Sequence, residues 1–204
     1  CEIKKKSIFI FIMVRFVMKK KMILKLLSII AVVSFFTTSL YAQPKINRSE
    51  ALKVGNTIPN AKLERFGQNS IEINDLVGKI KIISIVPQLN TPVCDKQTHQ
   101  FSEKNGGLDK HIDIITISTN SSEGQVTFAQ KAKINNLIFL SDNPNFNFGK
   151  KTGLLLEGMG MLRRTVLVAD EKNVIRYVDF VPSGGLPDIK GALKAARKVL
   201  LESS

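Results

Sequence analysis

The chain has 204 residues, of which 44% are apolar and 23% charged. That length supports one domain with its own core, and that balance excludes a disordered or fibrous chain. The formal net charge is +13, but residues 1–42 hold eight Lys or Arg against a single acid, Glu2, so residues 43–204 carry only +6. Their lysines are scattered and lack interleaved aromatic residues, which reads as a solvated surface and argues against nucleic-acid binding.

The N-terminus has the order of a secretory signal. Lys19, Lys20, Lys21 and Lys25 form a positive front, residues 26–36 an apolar run, and Thr37, Thr38 and Ser39 lead to Leu40-Tyr41-Ala42. A spanning helix wants about 20 apolar residues, and this run is shorter, which favours cleavage over a retained anchor. The sequence opens on Cys1, and Met13, Met18 and Met22 all precede the apolar run. Residues 1–42 therefore read as an over-extended start plus a signal peptide. Residues 43–204 read as one exported, periplasmic domain with no stable membrane association after cleavage.

Residues 57–74 read as short strands with turns at Pro59-Asn60 and Gly67-Gln68-Asn69. Residues 80–86 (IKIISIV) are apolar and β-branched almost throughout, the pattern of a buried central strand. Pro87 ends that strand, and Thr91-Pro92 starts a helix expected to run to about Lys104, stopped by Asn105-Gly106-Gly107. A second apolar strand covers residues 112–117, and a helix follows at about 125–133. A short strand at 137–140 and a short helix at 146–152 come next. Residues 165–169 and 174–181 form a hairpin around Asp170-Glu171-Lys172-Asn173, and residues 186–202 an amphipathic helix. This order predicts an α/β domain with a central mixed sheet flanked by helices. A hairpin followed by a terminal helix fits a thioredoxin-like fold.

The segment from Pro87 to Asp95 carries the chemistry. Cys94 falls in the first turn of the expected helix, where partial positive charge and free N–H groups favour an anion. Thiol chemistry runs through the thiolate, so this position suits a reactive sulfur without a metal. Thr91, three residues earlier, offers a hydroxyl that accepts from one partner and donates to the sulfur or a bound oxygen. Its bland alternative is a helix cap. Pro87 would shield the pocket from solvent. His99 and His111 are the only histidines, and no Cys/His/Asp group has ligand spacing, so neither metal nor cofactor is expected. Asp95, Asp142 and Asp170 read as caps and turn residues.

Pro87, Thr91 and Cys94 match the P-x-x-x-T-x-x-C motif of the peroxiredoxins, and the wider VPQLNTPVCDKQT resembles their thiol peroxidase branch. Further similar blocks are Phe128-Ala129-Gln130, Leu140-Ser141-Asp142 with Phe148-Gly149, Arg164-Thr165-Val166, and the run from Tyr177 to Pro182. The resemblance implies a thioredoxin-like peroxiredoxin fold and a thiol-specific peroxidase acting on hydrogen peroxide and organic hydroperoxides. Cys94 would be the peroxidatic cysteine that becomes a sulfenic acid. Thr91 would hold the peroxide, and Arg164 would stabilise the thiolate and the leaving oxygen. Arg163 competes for that role, but strand neighbours face opposite ways, so only one of the two reaches Cys94. The reading requires Arg164 beside the sulfur and a route for peroxide to it. A homodimer is also implied.

One departure from the branch concerns its second, resolving cysteine, which follows the Phe-Ala-Gln block. Residues 128–136 contain none, and Cys1 and Cys94 are the only cysteines. The sulfenic acid then needs an external thiol, a thioredoxin-like reductant, or a transient bond between two subunits. Two other functions compete. A thiol–disulfide oxidoreductase needs Cys-x-x-Cys, and Thr91 stands where its first sulfur would be. An idle relative serving as thiol sensor or binding module needs no second cysteine.

Overall fold

The structure is a computed structural model that describes residues 47–203, all within one compact unit. The signal segment, the internal start and Cys1 lie outside the described residues. No helix among the described residues is long and apolar enough to cross a membrane.

A short helix α1 (Arg48–Ala51) leads to a small antiparallel pair, β1 (Lys62–Leu63) and β2 (Ile71–Glu72). The main sheet begins with β3 (Lys81–Ile85), followed by helix α2 (Pro92–Glu103), β4 (Asp113–Ser118), helix α3 (Ser122–Ala132) and β5 (Ile138–Ser141). Helix α4 (Asn147–Thr152) precedes a two-residue hairpin of β6 (Leu155–Leu156) and β7 (Met161–Leu162). The chain closes with β8 (Thr165–Ala169), β9 (Ile175–Phe180) and helix α5 (Ile189–Glu202).

The five-stranded sheet has the order β5-β4-β3-β8-β9. β3 pairs parallel with β4 and antiparallel with β8, so the sheet is mixed as the sequence predicts. Every residue of β3 is buried, because a strand with partners on both edges and helices on both faces meets no water. Alternation then divides the core. Ile82 and Val86 face one cluster with Cys94, Phe101 of α2, Phe128 of α3 and Ala196 of α5. Ile83 and Ile85 face the other, with Leu63, Ile73 and Phe148 of α4.

Two helix starts differ from the pattern-based expectation, and capping explains both. α3 begins three residues early because the Ser121 hydroxyl accepts from the Gly124 N–H at 3.2 Å. α5 begins at Ile189 because the Asp188 carboxylate accepts from the Gly191 N–H at 2.9 Å. α2 ends as expected: Gly106 and Gly107 adopt φ of 64° and 81°, where a side chain would be strained. α1 and the β6–β7 hairpin carry too little periodicity to be read from the sequence.

Candidate active site

Cys94 is the third residue of α2, whose N-cap is Thr91 and whose first residue is Pro92. The N-cap side chain makes no capping hydrogen bond. The Thr91 hydroxyl instead donates to the Gln88 carbonyl at 3.1 Å. The orphan N–H groups of this first turn are therefore left to an anion rather than to a side chain. Thr91 is half-buried, and its hydroxyl, with the proton committed to Gln88, presents lone pairs to an incoming O–H. This refines the expectation that it donates to the sulfur.

Arg164 stands directly before β8, itself the antiparallel neighbour of β3. Arg163 is exposed and Arg164 buried, which settles the alternation between them. Arg164 Nη2 donates to Cys94 Sγ at 3.2 Å. A charged donor at that distance stabilises negative charge on the sulfur and on any oxygen bound to it. Arg164 is only 9% exposed, so water screens this contact weakly.

A third residue holds the pair, and the sequence reading passed over it. Gln97 lies three positions after Cys94 on the same helix face and has no exposed surface. Its carbonyl oxygen accepts from Arg164 Nη1, and its amide donates to Ser84 Oγ at 2.8 Å. Ser84 is the single hydroxyl in the otherwise apolar middle of β3. The signal was a polar residue in an apolar strand and a polar residue at helical spacing from the cysteine; each reads alone as unremarkable. Together they fix the rotamer of Arg164 through a buried, fully paired chain of donors and acceptors.

Pro87 is half-buried at the end of β3, and its carbonyl accepts from the Thr119 hydroxyl at 3.0 Å. That bond ties the loop before α2 to the loop after β4. Of the three acids expected as caps and turn residues, Asp142 accepts from the Phe148 and Gly149 N–H groups at 2.8 Å each. Asp170 accepts from the N–H groups of Lys172 and Val174, each at 2.9 Å. Asp95 lies in the first turn of α2. Among the described residues no group of three His, Cys, Asp or Glu could hold a metal.

One requirement of the sequence reading is met and the other is not met in this conformation. Arg164 lies beside the sulfur, but Cys94 is 0% exposed. Peroxide entry therefore needs a local movement.

The redoxin family pattern matches residues 53–193. The thiol peroxidase of Staphylococcus epidermidis is 33% identical over 156 residues, which cover 76% of this chain and 93% of that protein. The thiol peroxidase of Listeria innocua is 33% identical over 147 residues, 72% of this chain and 88% of that protein. Among solved structures, a peroxiredoxin-like protein from Aquifex aeolicus superposes with a TM-score of 0.66 at 24% identity, covering 77% of this chain and 90% of its own. A thiol peroxidase from Chromobacterium violaceum superposes with a TM-score of 0.61 at 19% identity, covering 74% and 87%. Those superpositions carry the fold, and the expected thioredoxin-like sheet is present. From the family pattern over residues 53–193 and 33% identity along most of two thiol peroxidases, the chain belongs to the redoxin family, in its thiol peroxidase branch.

Proposed function

We propose that this chain is an exported, homodimeric thiol-dependent peroxidase that reduces hydrogen peroxide and organic hydroperoxides through Cys94. The observation that carries the reading is the charged donor 3.2 Å from a sulfur set in the first turn of a helix. The thiolate attacks one peroxide oxygen. An S–O bond forms as the O–O bond breaks, and the leaving oxygen departs as water or alcohol after taking a proton. Arg164 stabilises the charge that develops on the oxygens. Thr91 orients the peroxide by accepting its O–H, and Pro87 keeps bulk water away. Export is supported by the signal-like order of residues 19–42, and the homodimer by the resemblance to the family. No second cysteine lies among the described residues, so an external thiol returns Cys94 to its reduced state.

The test is sulfenate trapping. Purified protein is mixed with one equivalent of hydrogen peroxide and dimedone, and the mass of the Cys94 peptide is followed in time. Labelling far faster than that of a free cysteine, absent in Cys94→Ser, is expected. Labelling at the free-cysteine rate would leave the idle thiol sensor as the better account. Thr91→Val removes the hydroxyl at constant volume and is expected to slow labelling by on the order of tenfold, with Thr91→Ser restoring it.

A further inference from the structure

Thr116 stands in the middle of β4, between Ile115 and Ile117, and has no exposed surface. Its hydroxyl is the one buried side-chain nitrogen or oxygen without a hydrogen-bond partner among the described residues. A buried hydroxyl left unpaired is costly, and an apolar residue of the same shape would avoid that cost. Thr116 is also the register partner of Ser84 across the parallel β3–β4 pair. Alternation puts both side chains on one face of the sheet. Ile82, Val86 and Ile114, two positions away on either strand, pack in the cluster that contains Cys94, whereas Ile115 and Ile117 pack in the other.

The directions of the hydrogen bonds follow from Arg164. A guanidinium only donates, so whatever faces it must accept. Gln97 therefore turns its carbonyl oxygen to Arg164 Nη1 and its amide nitrogen to Ser84 Oγ, 2.8 Å away. Ser84 then accepts, and its own proton has to leave toward another acceptor. Adjacent strands lie about 4.8 Å apart, so hydroxyls on facing residues meet when one rotates toward the other between staggered rotamers. The unpaired oxygen on the neighbouring strand is Thr116 Oγ1.

We propose that Thr116 is a positioning residue for Arg164, the acceptor of the Ser84 proton at the far end of the chain that holds the guanidinium against Cys94. The proposal rests on the peroxidase reading above and adds a residue that touches neither sulfur nor peroxide. With Thr116 accepting, Ser84 presents lone pairs to Gln97, and Gln97 presents oxygen to Arg164. Without that acceptor, Ser84 turns its proton toward Gln97. The amide then rotates its oxygen to Ser84 and points its own N–H groups at the guanidinium. Two donors facing each other push Arg164 away from the sulfur. The hydroxyl of Thr116 thus sets the direction of a buried chain that ends at the reacting atom.

The experiment is a double-mutant cycle on Ser84→Ala and Thr116→Val, read by sulfenation rate and by thermal unfolding midpoint. Valine keeps the shape of threonine and removes only the hydroxyl. Thr116→Val is expected to slow sulfenation on the order of fivefold, within the worth of one coupled network contact, and to lower the midpoint. Thr116→Ser keeps the hydroxyl and should keep the parent rate even though the lost methyl lowers the midpoint. In the Ser84→Ala background, Thr116→Val should have no further effect on the rate. An unpaired hydroxyl with no role predicts the opposite: Thr116→Val at the parent rate with an unchanged or raised midpoint. That result, equal slowing in both backgrounds, or Thr116→Ser as slow as Thr116→Val would overturn the proposal. Sulfenation of the parent at the free-cysteine rate, with the midpoints of the four proteins still coupled, would overturn the peroxidase reading and leave the Ser84–Thr116 contact standing.

Discussion

Arg164 Nη2 meets Cys94 Sγ at 3.2 Å although 70 positions separate the two residues in the chain. The contact exists because β8 pairs antiparallel with β3, and α2 leaves the same end of β3 that β8 enters beside. Arg164→Ala is expected to slow sulfenate formation by roughly a hundredfold, the usual cost of losing a donor to developing charge. Arg164→Lys keeps the charge but not the fork that serves Cys94 and Gln97 together, so it should fall between the two. Stopped-flow peroxide kinetics read both variants; a rate for Arg164→Ala within a factor of about three of the parent would remove the arginine from the reaction.

Gln97 anchors that guanidinium to Ser84. Gln97→Leu leaves Arg164 held on one side and Ser84 without its donor, all without exposed surface at position 97. We expect the sulfenation rate to drop by on the order of tenfold and stability by about 1–3 kcal/mol. Gln97→Glu keeps an acceptor for Arg164 and should recover most of the rate. If Gln97→Leu lost stability but kept the parent rate, the glutamine would be a core residue and nothing more.

Lys81 has no exposed surface and donates to the Asp170 carbonyl at 3.0 Å and to Asn173 Oδ1 at 2.7 Å. Burial pushes its ammonium down from the usual 10.5 to about 8, with the nearby Asp113, Asp170 and Glu171 opposing that shift. Between about pH 8 and 10.5 the unfolded chain holds a proton that the folded chain has released. The unfolded state binds more protons in that window, so this group makes folding more favourable as pH rises through it. In Lys81→Met the contribution is absent. Urea midpoints measured at pH 7.5 and 10 should therefore rise more, or fall less, in the parent than in Lys81→Met. Parallel curves for the two proteins would mean that Lys81 titrates as an exposed lysine does.

Gly149 sits in α4 against the β6–β7 hairpin. A Cβ there would come 2.5 Å from Leu162 Cδ2 and 3.1 Å from Asp142 Oδ2. Gly149→Ala gains helix propensity of about 1 kcal/mol, but overpacking a buried site costs about 1–3 kcal/mol. The clash also presses on the carboxylate that caps this helix, so the net effect is expected to be a loss. A lowered melting temperature with sulfenation kinetics intact would match, because the neighbours Phe148 and Leu162 belong to the core cluster that does not contain Cys94. A raised melting temperature would show that Leu162 yields at little cost.

The sequence by itself determined the order of the elements, the central place of β3, and the position of Cys94 in the first turn of a helix. These follow from local rules: β-branched apolar runs bury as strands, and proline after an N-cap residue starts a helix. The P-x-x-x-T-x-x-C spacing also pointed to Cys94, Thr91 and Pro87, because those residues share one short loop. Arg164 was nameable only by resemblance and by alternation against Arg163. Its 3.2 Å contact depends on strand pairing across the whole domain, which no local pattern encodes. Gln97 and Ser84 looked ordinary in the sequence, since a polar residue declares its role only when its partner is in place. The burial of Cys94 and the donor direction of Thr91 were likewise decided by packing. Local propensity sets where helices and strands form; which side chains then meet is fixed by sheet register and by the layers closed over it.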